Sequence, residues 1–438
     1  MGSQFTKTLV LGIDGLSLTL ARHLTESGVF QNLAAIIHDQ HAMTVESELP
    51  EVSPVNWASF FTGRGPEEHG VYGFTGVDPG SYRLLLHDYT HVRAEPLWDL
   101  LGSKGMVSRI INLPCTYPAP ELRGMLISGF VAHDLERAVY PKAILPMLRR
   151  TGYRLEADTT KGLNRQSALL EELRQTISSR RRAFDLFWPD LAWDFFVIVF
   201  TELDRLSHFL YEAMIDKSHV LHWGCMQILR DLDSAAGHIL ERFSGLPDPK
   251  RLLVVADHGF CRLEREVDIN TFLRAEGFQT MKTRPENELD LGCLDSSSRA
   301  FALDPGRIYI HDQERFGRGN VARTEYASVR RKIMGALLQL EYRGRKVMER
   351  VLPGEEIYPH GVGLPPDLLC VPHKGFDLKA KFDREQVFGH YGRTGTHCRE
   401  DVFFYDSHGT RPGKIRDLLS WIRDHGQDQI SGSACARG

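Results

Sequence analysis

The chain has 438 residues and a formal net charge of -4, which argues against a general electrostatic grip on nucleic acid or an anionic membrane. Hydrophobic residues make up 42% and charged residues 25%, the balance of a globular protein with a large core. The longest strongly apolar run, Phe195 to Phe200, cannot span a bilayer, and polar Met1 to Lys7 leads into no secretory apolar core, so a cytoplasmic location is expected.

Thr8 to Ile13 reads as a buried strand and Leu16 to Ser27 as a helix. Trp98 to Gly105 is a helix stopped by its glycine. Ser108 to Asn112 and Met125 to Ser128 are further strands. Glu136 to Pro189 is helical and charged, and its cluster Arg180, Arg181, Arg182 reads as a solvated helix face. Asp194 to Phe200 and Arg251 to Ala256 are the clearest buried strands: continuous, aromatic and β-branched, with polar ends. Leu206 to Asp216 and His222 to Phe243 are helical. Cys261 to Lys381 is mixed and rich in Pro and Gly. Asp401 to Tyr405 is a late strand and Gly413 to His425 a closing helix. The alternation predicts an α/β layered sandwich with a mostly parallel sheet. One catalytic domain over 1–438 is expected, with 136–189 and 261–381 partly inserted as cap segments around the site.

In parallel α/β sheets, ligands collect beyond the carboxyl ends of the strands. Asp14 follows Leu-Val-Leu-Gly-Ile, Glu202 and Asp204 follow Phe-Val-Ile-Val-Phe-Thr, and Asp257 and His258 follow Leu-Leu-Val-Val-Ala. Asp204 and His208 are four apart at the start of a helix and so share a face. His397 precedes the late strand, and His390 is its nearest rival. Ser53 stands just before an apolar helical stretch, with Asn56 one turn on. Singly, each is an ordinary cap, turn or surface residue. Together they make two cation sites. Nitrogen and oxygen ligands without thiolate suit Zn²⁺, with Mn²⁺ as the alternative. Two such ions clamp the attacking and leaving oxygens of an in-line phosphoryl displacement and activate a serine without a general base. The seven cysteines (Cys115, Cys225, Cys261, Cys293, Cys370, Cys398, Cys435) are odd in number and without Cys-x-x-Cys, so free thiols are expected.

From Thr8 to Phe404 the chain resembles the alkaline phosphatase superfamily, and within it the type I phosphodiesterase and nucleotide pyrophosphatase branch. Leu-Gly-Ile-Asp-Gly, Val-Ser-Pro-Val-Asn-Trp-Ala-Ser-Phe-Phe-Thr-Gly with His69-Gly70, Asp-Arg-Leu-Ser-His, Ala-Asp-His-Gly-Phe and Gly-Thr-His carry the resemblance in the family order. It implies an alkaline-phosphatase-like three-layer sandwich. Asp204, His208 and His397 would hold one ion, and Asp14, Asp257 and His258 the other, with Ser53 between them as nucleophile. Asn56 would donate to a phosphoryl oxygen, and the helix N-terminus after Ser53 would add backbone amides.

Serine replaces the threonine of most members, and Trp57 stands where sulfatase relatives need arginine. Neither an arginine fork nor a third metal set is evident. The implied activity is hydrolysis of a phosphodiester or pyrophosphate bond in a nucleotide or other small substrate. The alternatives are a phosphomutase, phosphotransferase or phosphomonoesterase on the same site, or a phosphate-binding module on a retired enzyme fold. Trp57 and Phe74 read as core aromatics, and Tyr72 as core or ligand wall. Arg64, Arg393 and Lys374 read as surface charges, with a substrate anion as the alternative. Lys374 to Tyr391 is expected to form a mobile flap. Oligomeric state is not encoded.

Overall fold

The computed structural model describes residues 6–422. Its centre is an eight-stranded sheet of β1 (Lys7–Ile13), β2 (Met43–Val45), β3 (Ser108–Leu113), β4 (Gly124–Ser128), β5 (Val139–Tyr140), β6 (Phe195–Phe200), β7 (Lys250–Val255) and β8 (Val402–Asp406), in the order β2-β8-β7-β1-β6-β3-β4-β5. The five strands from β7 to β4 run parallel; β8 pairs antiparallel to β7, β2 to β8 and β5 to β4. The parallel strands are apolar on both faces, and β3 and β6 are buried at every residue, because helices cover such sheets.

Six helices are needed to follow the site: α1 (Leu18–Glu26), α2 (Ser53–Thr62), α3 (Gln166–Phe187), α4 (Glu202–Ile215), α5 (His222–Ser244) and α6 (Arg323–Gln339). The α4 helix starts at Glu202, a turn earlier than its apolar spacing indicates. Glu202 and Asp204 thus fall in its first turn, where the helix dipole favours negative charge. Of the closing helix, a 3-10 turn Ile415–Asp417 and helical residues 420–422 are seen; the rest of that stretch lies outside the described residues.

The 136–189 stretch supplies β5 and α3, and α3 packs on β3, β6, α4 and α5. It buries Leu169, Leu173, Ile177 and Phe184 in the main core. Its arginine cluster is not a uniformly solvated face. Arg181 and Arg182 are exposed, but Arg180 is wholly buried and pairs with Glu202 at 2.5 Å. The α3 periodicity turns Arg180 inward, and the buried carboxylate explains why a charge is tolerated there.

Within 261–381 a four-stranded antiparallel sheet forms from Ala300–Leu303, Arg307–Ile310, Leu368–Pro372 and Met348–Pro353. With α6 it encloses a second core around Ile308, Ile310, Ile333, Leu337 and Leu368. A smaller sheet pairs Arg265–Asp268 with Phe376–Lys379 and Phe388–Gly389. The stretch expected to form a flap therefore carries two hydrogen-bonded strands.

Candidate active site

The carboxyl ends of the neighbouring strands β7, β1 and β6 bring Asp257, Asp14 and Asp204 together, although they are far apart in sequence. Asp14 follows β1 directly, and Gly15 turns the chain with φ 76° while donating its amide to Asp257 Oδ1 at 3.2 Å. Ser53 is the first residue of α2, after extended Val52 and before Pro54, a position that suits proline because its missing N–H is not needed there. Ser53 Oγ lies 3.3 Å from His258 Nε2 and 3.5 Å from Asp14 Oδ1. One turn along α2, Trp57 donates its indole N–H to Asp14 Oδ2 at 3.1 Å. Trp57 is thus core, as its type indicates, and also orients Asp14. The ring fits because Gly12 faces it: a Cβ there would come within 2.9 Å of the indole.

His397 arrives on a two-stranded ribbon, Gly259–Arg262 paired with Gly395–Cys398, in which it faces Phe260. The α4 helix is kinked at Leu210 (φ -131°, ψ 24°). Upstream of the kink, the His208 carbonyl accepts Thr394 N at 2.8 Å from the segment leading into the ribbon. A Cβ on Gly395 would stand 2.3 Å from the Ser207 carbonyl. Gly395 is therefore required for that close approach, which brings His397 Nε2 to 3.0 Å from His208 Nε2 and 3.1 Å from Asp204 Oδ1.

Two groups result: Asp204, His208 and His397, and Asp14, Asp204 and His258, each with ligand atoms within 4.8 Å of one another. Asp204 belongs to both. Asp257 edges the second, its Oδ2 3.4 Å from His258 Nε2, buried and without a hydrogen-bond partner. His397 Nδ1 donates to the Glu51 carbonyl at 2.8 Å and His258 Nδ1 to the Gly259 carbonyl at 3.1 Å. Each hydrogen bond fixes the tautomer and leaves the Nε2 lone pair facing carboxylates, the arrangement of metal-ligating imidazoles.

The electrostatics agree. Burial, with the charges of Asp257 and Asp204, pushes the Asp14 carboxyl well above the usual range. Burial and Asp204 push Asp257 up to about 6. For Asp204 burial acts upward too, but His208 and Arg205 outweigh it and hold the carboxyl well below its ordinary value. Burial keeps His208, His258 and His397 below the usual imidazole range. Crowded acids, neutral imidazoles and an orphaned carboxylate oxygen fit a pair of divalent cations.

Asn56 is wholly buried; its Oδ1 accepts Glu48 N at 2.7 Å and its Nδ2 donates to the Val52 carbonyl at 3.1 Å. Both bonds brace the turn before Ser53. The helix start also offers fewer amides than a general helix N-terminus. Pro54 has none, and those of Val55 and Asn56 both bond the Val52 carbonyl, leaving the Ser53 amide. Glu202 turns away to Arg180, and His390 is exposed. The sequence reading missed Arg205, which bonds Asp204 Oδ2, meets Glu156 at 3.1 Å and stacks on Phe130 at 4.7 Å. Its position beside Asp204 was the only signal. Phe74 is half-buried against the main core.

A mostly parallel sheet with paired Asp/His cation clusters at its carboxyl edge, beside a helix-start serine, defines a hydrolase of the alkaline phosphatase superfamily. The chain belongs to the type I phosphodiesterase / nucleotide pyrophosphatase family, whose model matches residues 8–400. No curated protein matches the sequence. Among solved structures, phosphonoacetate hydrolase from Sinorhizobium meliloti 1021 in complex with phosphonoformate is similar at TM-score 0.63 and 14% identity, with 95% of each chain covered. Murine ectonucleotide pyrophosphatase/phosphodiesterase 5 in complex with AMP is similar at TM-score 0.57 and 13% identity, over 95% of this chain and 94% of that one. The human protein of that name is similar at TM-score 0.53 and 12% identity, with coverage of 95% and 94%. At these identities the likeness is one of fold.

Proposed function

We propose that the protein hydrolyses a phosphodiester or pyrophosphate bond of a nucleotide or other small substrate through a phosphoseryl intermediate on Ser53. Two zinc ions, or manganese as the alternative, would be held by Asp204, His208 and His397 and by Asp14, Asp257 and His258, with Asp204 in reach of both. The carrying observation is the pair of overlapping groups Asp204, His208, His397 and Asp14, Asp204, His258, with Asp257 beside the second and the Ser53 hydroxyl against Asp14 and His258. Bound there, the cations would supply the charge that lowers the serine pKa and stabilises the departing oxygen.

Ser53 Oγ, its proton lost to solvent, would attack phosphorus in line as the opposite P–O bond breaks and the leaving group departs as its alcohol or phosphate, while the Ser53 amide donates toward a phosphoryl oxygen. Trp57 keeps Asp14 turned to the cluster. Water then attacks the phosphoseryl ester and restores Ser53. A monoester dianion calls for a guanidinium clamp, but Arg205, the arginine in contact with Asp204, is engaged by that residue and Glu156. Arg205 is therefore not the residue that would clamp a terminal phosphoryl group. The six described cysteines are free and buried, and the cytoplasmic location is proposed from the sequence alone.

Purified protein should contain about two divalent ions per chain and turn over bis-p-nitrophenyl phosphate with Zn²⁺ or Mn²⁺. Ser53→Ala should lose at least about a thousandfold in kcat. Absence of turnover with either ion, on this ester and on nucleotide diesters, rejects hydrolysis. An added alcohol that captures most of the phosphoryl group identifies a transferase instead.

A further inference from the structure

Arg393 reads from sequence as a surface charge, yet its side chain is only 34% exposed and it borders the cluster. Its Nη1 lies 3.4 Å from His208 Nδ1, and its guanidinium 6.0 Å from the Phe209 ring centre. Its contact with Asp377 is loose, at 4.0 Å, whereas Lys379 meets the same carboxylate at 2.8 Å. Asp377 thus balances Lys379, and Arg393 remains a positive charge without a close carboxylate. Its backbone is pinned: next in the chain, Thr394 donates to the His208 carbonyl at 2.8 Å and accepts Leu263 N at 2.9 Å.

The side of the cluster on which Arg393 sits matters. Ser53 Oγ contacts Asp14 and His258. An in-line displacement sets the leaving group opposite the nucleophile, toward Asp204, His208 and His397. Arg393 borders that flank at His208. We infer that Arg393 is a specificity residue that receives an anionic group, a phosphate or carboxylate, carried by the leaving group of the substrate. The inference rests on the hydrolytic reading above and narrows it to substrates whose leaving group bears its own negative charge, pyrophosphate-linked compounds among them. Guanidinium suits the task because it offers paired donors to a planar or tetrahedral oxyanion.

The test compares two methyl aryl phosphodiesters of matched leaving-group basicity, one phenol bearing a sulfonate and the other an uncharged acyl group, with wild type, Arg393→Gln and Arg393→Lys. Wild type should prefer the charged ester. Arg393→Gln should lower the ratio of the two kcat/KM values by about tenfold or more, and Arg393→Lys should restore part of it. Inorganic pyrophosphate should inhibit wild type competitively and Arg393→Gln at least about tenfold more weakly. If both esters slow equally in Arg393→Gln, or the ratio does not move, Arg393 only supports His208 and the inference is overturned. If wild type cleaves neither ester, the hydrolytic reading itself fails, a result distinct from an unchanged ratio.

Discussion

Every neighbour of the Ser53 hydroxyl is an acceptor: a carboxylate oxygen of Asp14 and a bare imidazole nitrogen of His258. Such a pocket holds protons until a cation displaces them. Asp257 is pushed up to about 6 and Asp14 is raised well above its ordinary range, so toward pH 6 and below the metal-free folded protein keeps acid protons that must leave on loading. The imidazoles are held low and are already neutral near pH 7, so they contribute no release there. Calorimetric Zn²⁺ titrations in buffers of different ionisation enthalpy should show net proton release. Affinity should rise with pH from below 6 upward; affinity that is flat or falls with pH contradicts the assignment. Trp57→Phe should weaken Zn²⁺ binding by about 10–100-fold, because it removes the donor that turns Asp14 inward. The buried pair of Arg180 and Glu202 gives a stability prediction instead. Arg180→Leu alone should cost about 3–5 kcal/mol in urea denaturation, while adding Glu202→Leu should recover much of that loss.

At the level of elements, the kink of α4 and the ribbon that leans on it are one device. The Thr394 amide bonds the His208 carbonyl, and Gly395 lets the backbones touch. Gly395→Ala should push the ribbon outward. Zn²⁺ binding should weaken by at least about tenfold, while the far-ultraviolet circular dichroism stays that of wild type; unaltered binding would show that the contact does not set His397. Little of this is legible in the sequence. The acids at the ends of β1, β6 and β7 can be read because continuous apolar strands announce their own carboxyl ends. Asn56 is ambiguous for a physical reason: a polar residue in the first turn of a helix can point to a ligand or to backbone, and the partners it has here, the Glu48 amide and the Val52 carbonyl, are not visible in sequence. Arg180 misleads because a charge run shows its composition but not which of its members the helix turns inward.

Across the whole molecule, the parallel centre of the sheet is legible, whereas the two- and three-residue edge strands β5 and β2 are too short to signal themselves. The second core of 261–381 is hidden because its antiparallel strands, although mostly buried, are too short to show long apolar runs. Its grip on the site is tertiary: the Tyr358 hydroxyl bonds the Leu49 carbonyl at 2.7 Å and that of Tyr72 bonds the Val362 carbonyl at 2.9 Å. From the other end of the chain, Arg416 reaches Glu48 at 2.5 Å and Glu67 at 2.6 Å, over Gly65, where a Cβ would meet the guanidinium. Arg416→Ala should speed amide hydrogen exchange between residues 48 and 67 and leave β6 and β7 protected.

The cluster also draws on residues far apart in the sequence, since Asp14 leaves the ribosome well before His397. At ordinary elongation rates the two are separated by on the order of tens of seconds. For that interval the early acids have no imidazole from the ribbon to complete a cation site. The group of Asp204, His208 and His397 therefore cannot close before residue 397 is made, whereas that of Asp14, Asp204 and His258 has all its members once residue 258 is made.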